Sequence, residues 1–197
     1  MPGNVEILRN DAPRCAVLKD AGWRIVGTSW GARLHLCEDD WPRLGRLVSR
    51  VEGLGYQVIE LSSADAEAVH ALEGLTQPDY PRDGPATAHP LLSEAEVTSL
   101  FDRGRVFGVG QDCDLVAVTA THREADFVET DFTSVHPQHR HLGVAQGLKA
   151  ASVLAWMDAG WLVFPSGGSG INDASVAMNA AVGYRVTEMW HTYARPR

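Results

Sequence analysis

The sequence predicts an α/β (α+β) fold, a mixed, mostly antiparallel sheet flanked by helices, and three observations carry this. From residue 55 to 196, short β-rich runs alternate with helical patterns in the order β, α, α, three β, α, β, α, β. The three central runs are joined by short turn-prone links, which suit antiparallel neighbours, whereas parallel strands need long crossovers. The chain is 197 residues long, 45% hydrophobic and 21% charged, enough for a real core without disulfide staples.

Taken in order, residues 56–61 (YQVIEL) read as a strand. Ser62 or Ser63 then caps a helix with Ala66, Val69, Leu72 and Leu75 on one face, at three- and four-residue spacing. Residues 76–90 hold four prolines and no apolar stripe, the pattern of a long ordered loop, a kind of segment that is more often functional than incidental. Ser93 and Glu96 form a capping box for a helix ending near Gly104. Strands follow at 105–109, 115–121 and 126–135. A helix over 144–159 stops at Gly160, a strand covers 161–165, a helix over 172–182 stops at Gly183, and one or two strands close the chain over 184–193.

The first 54 residues parallel the C-terminal segment. Asn10-Asp11-Ala12 matches Asn172-Asp173-Ala174, Ala21-Gly22-Trp23-Arg24-Ile25 matches Val182-Gly183-Tyr184-Arg185-Val186, and both copies then reach a tryptophan, Trp30 and Trp190. This divides the chain into residues 1–54, an N-terminal partial repeat with a linking helix over 41–53, and residues 55–197, the intact copy. The strands of the half-copy must cover an apolar edge, either beside the intact copy or by pairing with another subunit as a homodimer.

Composition narrows the function. No apolar run approaches the ~20 residues that span a bilayer, and the N-terminus lacks an apolar signal core, so no membrane partner is expected. A net charge of -8 argues against nucleic acid held through its phosphates. Cys15, Cys37 and Cys113 are too scattered for a disulfide framework or zinc site, and are expected to be buried thiols in a cytoplasmic protein.

The chemistry concentrates in residues 135–145, at a strand-to-helix junction. Unpaired amides and the positive end of the helix dipole bind phosphate there without many basic side chains, Gly143 admits a close ligand and Ala145 does not block it. His136, His139 and His141 have neither helical nor finger spacing, so no metal is expected. Lys149 reads as a solvated lysine on the following helix.

This segment resembles the GNAT N-acetyltransferases. Val135, Pro137 and Arg140-His141-Leu142-Gly143-Val144-Ala145 fit the family's Val-x-Pro-x-x-Arg/Gln-x-x-Gly-x-Gly/Ala signature, and Asn172, Asn179 and Gly183-Tyr184 fit its Asn-x6-Asn-x3-Gly-Phe/Tyr ending. The resemblance covers about 140 residues. It implies that acetyl-CoA is the co-substrate, with its pyrophosphate on Arg140, His141, Leu142, Gly143, Val144 and Ala145 and its pantetheine arm on Ser134 and Val135. Asn172 would reach the arm as well as cap a helix, and Asn179 would lie in the same ligand region or be a satisfied polar residue. The acceptor would be a small-molecule or peptide amine, with Tyr80 and Trp190 either lining its pocket or serving as ordinary packing residues.

Acyl transfer to an amine needs a general base. Glu129 and Asp131 are the candidates, expected on one face of a regular strand. Glu129 is preferred, because it lies six residues before Val135, matching the base glutamate of histone-type relatives. Two departures stand out. His141 replaces a common glycine. Asn179 occupies the position four before Gly183, where many members place a tyrosine that protonates the leaving thiolate. The alternative to a transferase is a degenerate module that binds acyl-CoA for regulation or interaction without catalysis.

Overall fold

In the computed structural model, which describes residues 4–82 and 84–196, the strands form two four-stranded sheets instead of one, every pairing antiparallel. Residues 1–3, Asp83 of the proline-rich loop and Arg197 lie outside the described residues. In chain order come β1 (Val5–Arg9), α1 (Arg14–Asp20), β2 (Arg24–His35), α2 (Trp41–Glu52), β3 (Gln57–Glu60), α3 (Ala66–Thr76) and α4 (Glu94–Arg103). Then follow β4 (Gly104–Gln111), β5 (Asp114–Arg123), β6 (Val128–Val135), α5 (Val144–Met157), β7 (Val163–Ser169), α6 (Asp173–Val182) and β8 (Arg185–Ala194).

One sheet has the order β3-β4-β5-β6. Its inner strands are buried on both faces, which explains their nearly unbroken apolar runs. Val106, Val118, Ala120 and Phe132 pack under α3 and α4 with Val69, Leu72, Val97 and Leu100. Phe107, Val109 and Ala117 meet α2 and α5 through Val51, Val144 and Leu148. A Cβ on Gly147 of α5 would stand 2.5 Å from Val51 Cγ2 and 2.9 Å from Leu47 O, so that glycine sets the close approach of α2 and α5. Asp112 and Cys113, at φ 51° and 74°, form a two-residue hairpin turn between β4 and β5. The turn exposes Cys113. Cys37 is exposed as well, and only Cys15 is the buried thiol that the sequence predicts.

The other sheet has the order β1-β8-β2-β7. Residues 1–54 therefore share a sheet with the C-terminal elements, and β2 lies between β8 and β7. Across the β2–β8 pair, Trp30 faces Met189 and Ser29 faces Trp190, so the two tryptophans of the matched segments occupy reciprocal positions. The edge pairs β1–β8 and β7–β2 flank this centre in the same reciprocal way. Trp30, Ala32, Leu34 and Leu36 join one core with Leu44 of α2, Val128 of β6, Val153 and Trp156 of α5, and Phe164 of β7.

The pairings join β6 to β5 and β7 to β2, and leave the two sheets unladdered where β6 meets β7. Helix α5 fills the space behind that gap. Among the described residues no helix is long and apolar enough to cross a membrane.

Trp30 is 3% exposed and donates Nε1–H to Ser169 O at 3.0 Å. Trp30→Ala should lower unfolding stability by about 3–5 kcal/mol in denaturant titration. A loss under about 1 kcal/mol would contradict a core that includes β2.

Candidate functional site

The gap between β6 and β7 opens into a cleft of about 1180 Å³. Its walls are β6 from Glu129 to Val135, the Gly-rich end of β7, the first half of α5, α6 and the proline-rich loop. His136 N donates to Val116 O toward β5, so by strand alternation the amide and carbonyl of Val135 face the gap. The carbonyl is already occupied, since Arg140 Nε donates to Val135 O at 2.9 Å.

At the head of the cleft the backbone turns sharply into α5. Gly143 is the N-cap at φ 84°, and His141 is also left-handed at φ 63°. His141 thus adopts the conformation that a glycine would take without strain. The bonds of Gln146 N and Gly147 N return to Gly143 O, while the amides of residues 141–145 have no protein acceptor among the described residues. His141, Gly143, Val144 and Ala145 line the cleft. The Leu142 side chain does not; it is exposed outside it. Arg140 lines the cleft, but its guanidinium is tied to Asp79 Oδ2 at 2.7 Å as well as to Val135 O. Among the described residues no group of three His, Cys, Asp or Glu side chains is arranged for a metal ion.

The two carboxylates on β6 differ. The register passes from Ala120↔Phe132 to Thr121↔Thr130 and skips Asp131. This bulge interrupts the regular alternation, yet Glu129 and Asp131 both line the cleft. Asp131 is bound by Arg103 Nη2 at 2.8 Å and by His122 Nδ1 at 3.2 Å. Glu129 lines the cleft without a hydrogen-bond partner among the described residues. Burial raises its carboxyl pKa above the ordinary value and the Asp131 charge adds to this, while His122 and Lys149 oppose it.

Ser134 is also committed. Its hydroxyl donates to Glu73, a fully buried carboxylate on α3, and lies 2.8 Å from Tyr80 Oη. His89 Nε2 lies 2.7 Å from the other Glu73 oxygen, and its ring stacks on Tyr80 at 4.1 Å between centroids. These contacts fasten both ends of the proline-rich loop to β6. The Ser134 hydroxyl thus anchors that wall, and Ser134 and Val135 both line the cleft.

Asn172 caps α6, accepting from Ser175 N at 3.1 Å, and lines the cleft. Asn179 is 2% exposed, and its Oδ1 accepts from Lys149 Nζ at 2.6 Å. Lys149 is not the solvated lysine that the sequence suggests. It is 1% exposed, donates to Ser166 Oγ at 2.9 Å, and sits over the Tyr184 ring 4.5 Å from its centroid. Desolvation pushes its pKa down to about 7, against the opposing pull of Glu129. The signal was available: Lys149 is the lone charged residue of α5, flanked by Leu148 and Ala150.

No protein-family model matches the sequence, and no relative was found among curated proteins. Solved structures are similar in fold. A GCN5-related N-acetyltransferase from Sphaerobacter thermophilus superposes with a TM-score of 0.75 at 11% identity, over 97% of this chain and 58% of that one. A tandem GNAT protein from the clavulanic acid biosynthesis pathway gives 0.64 at 15% identity, over 97% of this chain and 63% of that one. A GCN5-related N-acetyltransferase from Kribbella flavida gives 0.60 at 16% identity, over 98% and 68%. The chain has the GNAT fold and spans about three fifths of the length of the first two of these structures.

The buried lysine has a consequence for stability. Its ordinary pKa is 10.5 and its folded value about 7, so between these values the unfolded chain holds the extra proton and stability rises with pH. The cost is complete and constant below about pH 7. Relative to the native protein, Lys149→Met should be most favoured below that pH, and its advantage should shrink by up to ~1.4 kcal/mol per pH unit toward pH 10. A stability difference independent of pH would contradict the buried, neutral lysine.

Proposed function

We propose that the chain is an acyl-CoA-dependent N-acetyltransferase, moving acetyl from acetyl-CoA to an amine by direct transfer in a ternary complex. The observation that carries this is the set of unsatisfied amides at residues 141–145, at the head of a cleft whose side wall offers the free N–H of Val135. A helix N-terminus of this kind suits a pyrophosphate, and it explains how an anionic co-substrate suits a chain of net charge -8. The shared fold with structures described as N-acetyltransferases supports the same reading.

In this reading the amides of 141–145 hold the pyrophosphate, and the backbone of β6 near Val135 aligns the arm. Val135 N–H is placed to polarise the thioester carbonyl. Arg140 acts mainly by bracing the loop through Asp79. Glu129 is the base that takes the proton from the attacking amine, and burial suits it to that task by raising its pKa. Asp131, paired with Arg103 and hydrogen-bonded to His122, steadies the bulge. The acceptor is a small-molecule or peptide amine seated between the proline-rich loop and the closing strands.

Acetyl-CoA at about 100 times its Kd should stabilise the fold by about 2.7 kcal/mol. Gly143→Leu should weaken that binding, because it puts a side chain on a left-handed residue at the mouth of the amide nest. Over an amine panel, Glu129→Gln should lower kcat by about 10²-fold or more and change acetyl-CoA affinity little. Absence of any melting shift would refute the site. Binding without thiol release over the whole panel would favour the regulatory module instead.

A further inference from the structure

We infer that Lys149 is the acid that protonates the departing CoA thiol, working through a Lys149–Asn179 pair in the role that the GNAT resemblance gives to a tyrosine at position 179. This rests on the acetyl-transfer reading above and adds the group that reading lacks.

The geometry is specific. Lys149, Asn179 and Ser166 all line the cleft, together with Glu129 and Val135. Asn179 has no acidic proton to give, but its carbonyl oxygen holds Lys149 Nζ at 2.6 Å, and its Nδ2 is fixed by Ser175 O at 2.9 Å. The side chain at position 179 therefore positions a proton donor in place of being one. Ser166, on β7, takes a second N–H at 2.9 Å. An ammonium has three N–H groups and a neutral amine two. With two donors tied to Asn179 and Ser166, the proton that comes and goes is the third.

Other cleft groups serve less well. Tyr80 Oη is engaged with Ser134 in the Glu73 network, and Asn172 Oδ1 is used as a helix cap. Tyr184 contacts Lys149 through its ring but does not line the cleft. Among the described residues, the charged and titratable groups facing Lys149 are Glu129 from β6 and Tyr184 from the link between α6 and β8. A lysine with a pKa near 7 in this setting is half protonated at neutral pH, as an acid that must also recover its proton should be.

The proton balance closes. The amine nitrogen forms a bond to the acetyl carbon and gives its proton to Glu129. The carbon–sulfur bond breaks, and the sulfur takes the third proton of the Lys149 ammonium. The products are the amide and CoA as a free thiol. Glu129, now protonated, and neutral Lys149 reset by passing one proton between them, directly or through water.

The test uses the full chain and CoA itself. The CoA thiol and Lys149 should titrate as a coupled pair, the thiolate holding the Lys149 proton to higher pH than in the free protein, so CoA bound to the native protein should show thiolate ultraviolet absorbance at a lower pH than CoA bound to Lys149→Met. Bound to Lys149→Met, the thiol should titrate at or above the free value. With the best acceptor of the amine panel, Lys149→Met should lose about 10²-fold in kcat while its KM for acetyl-CoA changes less than about threefold. The fall in native kcat above about pH 7 should also disappear in the variant. Lys149→Met/Asn179→Tyr should recover part of the loss. Equal thiol titrations in native and variant proteins, or an unchanged kcat and pH profile in Lys149→Met, would overturn the role of Lys149 while leaving the acetyl-transfer reading intact. Failure of CoA to bind the native protein would overturn both.

Discussion

The structure depends on the missing ladder between β6 and β7. Two neighbouring strands that fail to pair leave backbone groups unsatisfied, and a fold keeps such a gap only where the strands are held apart from outside. Here the holding is done on both flanks. β6 is held by β5 on one edge and by the Glu73–Ser134–Tyr80–His89 cluster over its face. β7 is fastened to β2, which is itself gripped by β8. The N-terminal segment thus belongs to the machinery that opens the cleft, although it contributes few residues to the cleft walls.

Once the gap exists, its contents follow from chain connectivity. The helix that crosses from β6 to β7 begins at the head of the gap, so its first turn, whose amides have no protein acceptor among the described residues, lines the cleft, and Lys149 lines it from further along the same helix. That is how a lysine in an otherwise uncharged helix reaches the cleft. Burying it opposes its charge, and Asn179 and Ser166 lower the cost by satisfying two of its donors. The arrangement gives up stability at neutral pH in a helix that apolar residues at this position would strengthen, a common property of functional sites.

Local signals were legible and long-range ones were not. The Ser93–Glu96 box, the left-handed stops at Gly160 and Gly183 and the β4–β5–β6 meander depend on residues close in sequence, and all stand where the sequence puts them. β7 runs on to Ser169 although Ser166-Gly167-Gly168-Ser169 has poor strand propensity. It does so because β2 pairs with it and because a Cβ at Gly168 would lie 2.9 Å from the Trp30 ring. The skipped residue Asp131, the capture of Ser134 by Glu73 and the burial of Lys149 each depend on partners tens of residues away. In the site, the amide nest could be read from 135–145, whereas the commitments of Arg140, Ser134 and Asp131 to protein partners could not.

A CoA titration followed amide by amide in ¹⁵N-labelled protein tests the amide nest at the head of the cleft most directly. The largest shifts should fall at the amides of residues 141–145 and at Val135, with smaller ones along α6 near Asn172. Saturable binding with those amides unmoved and the shifts located on another face would contradict it.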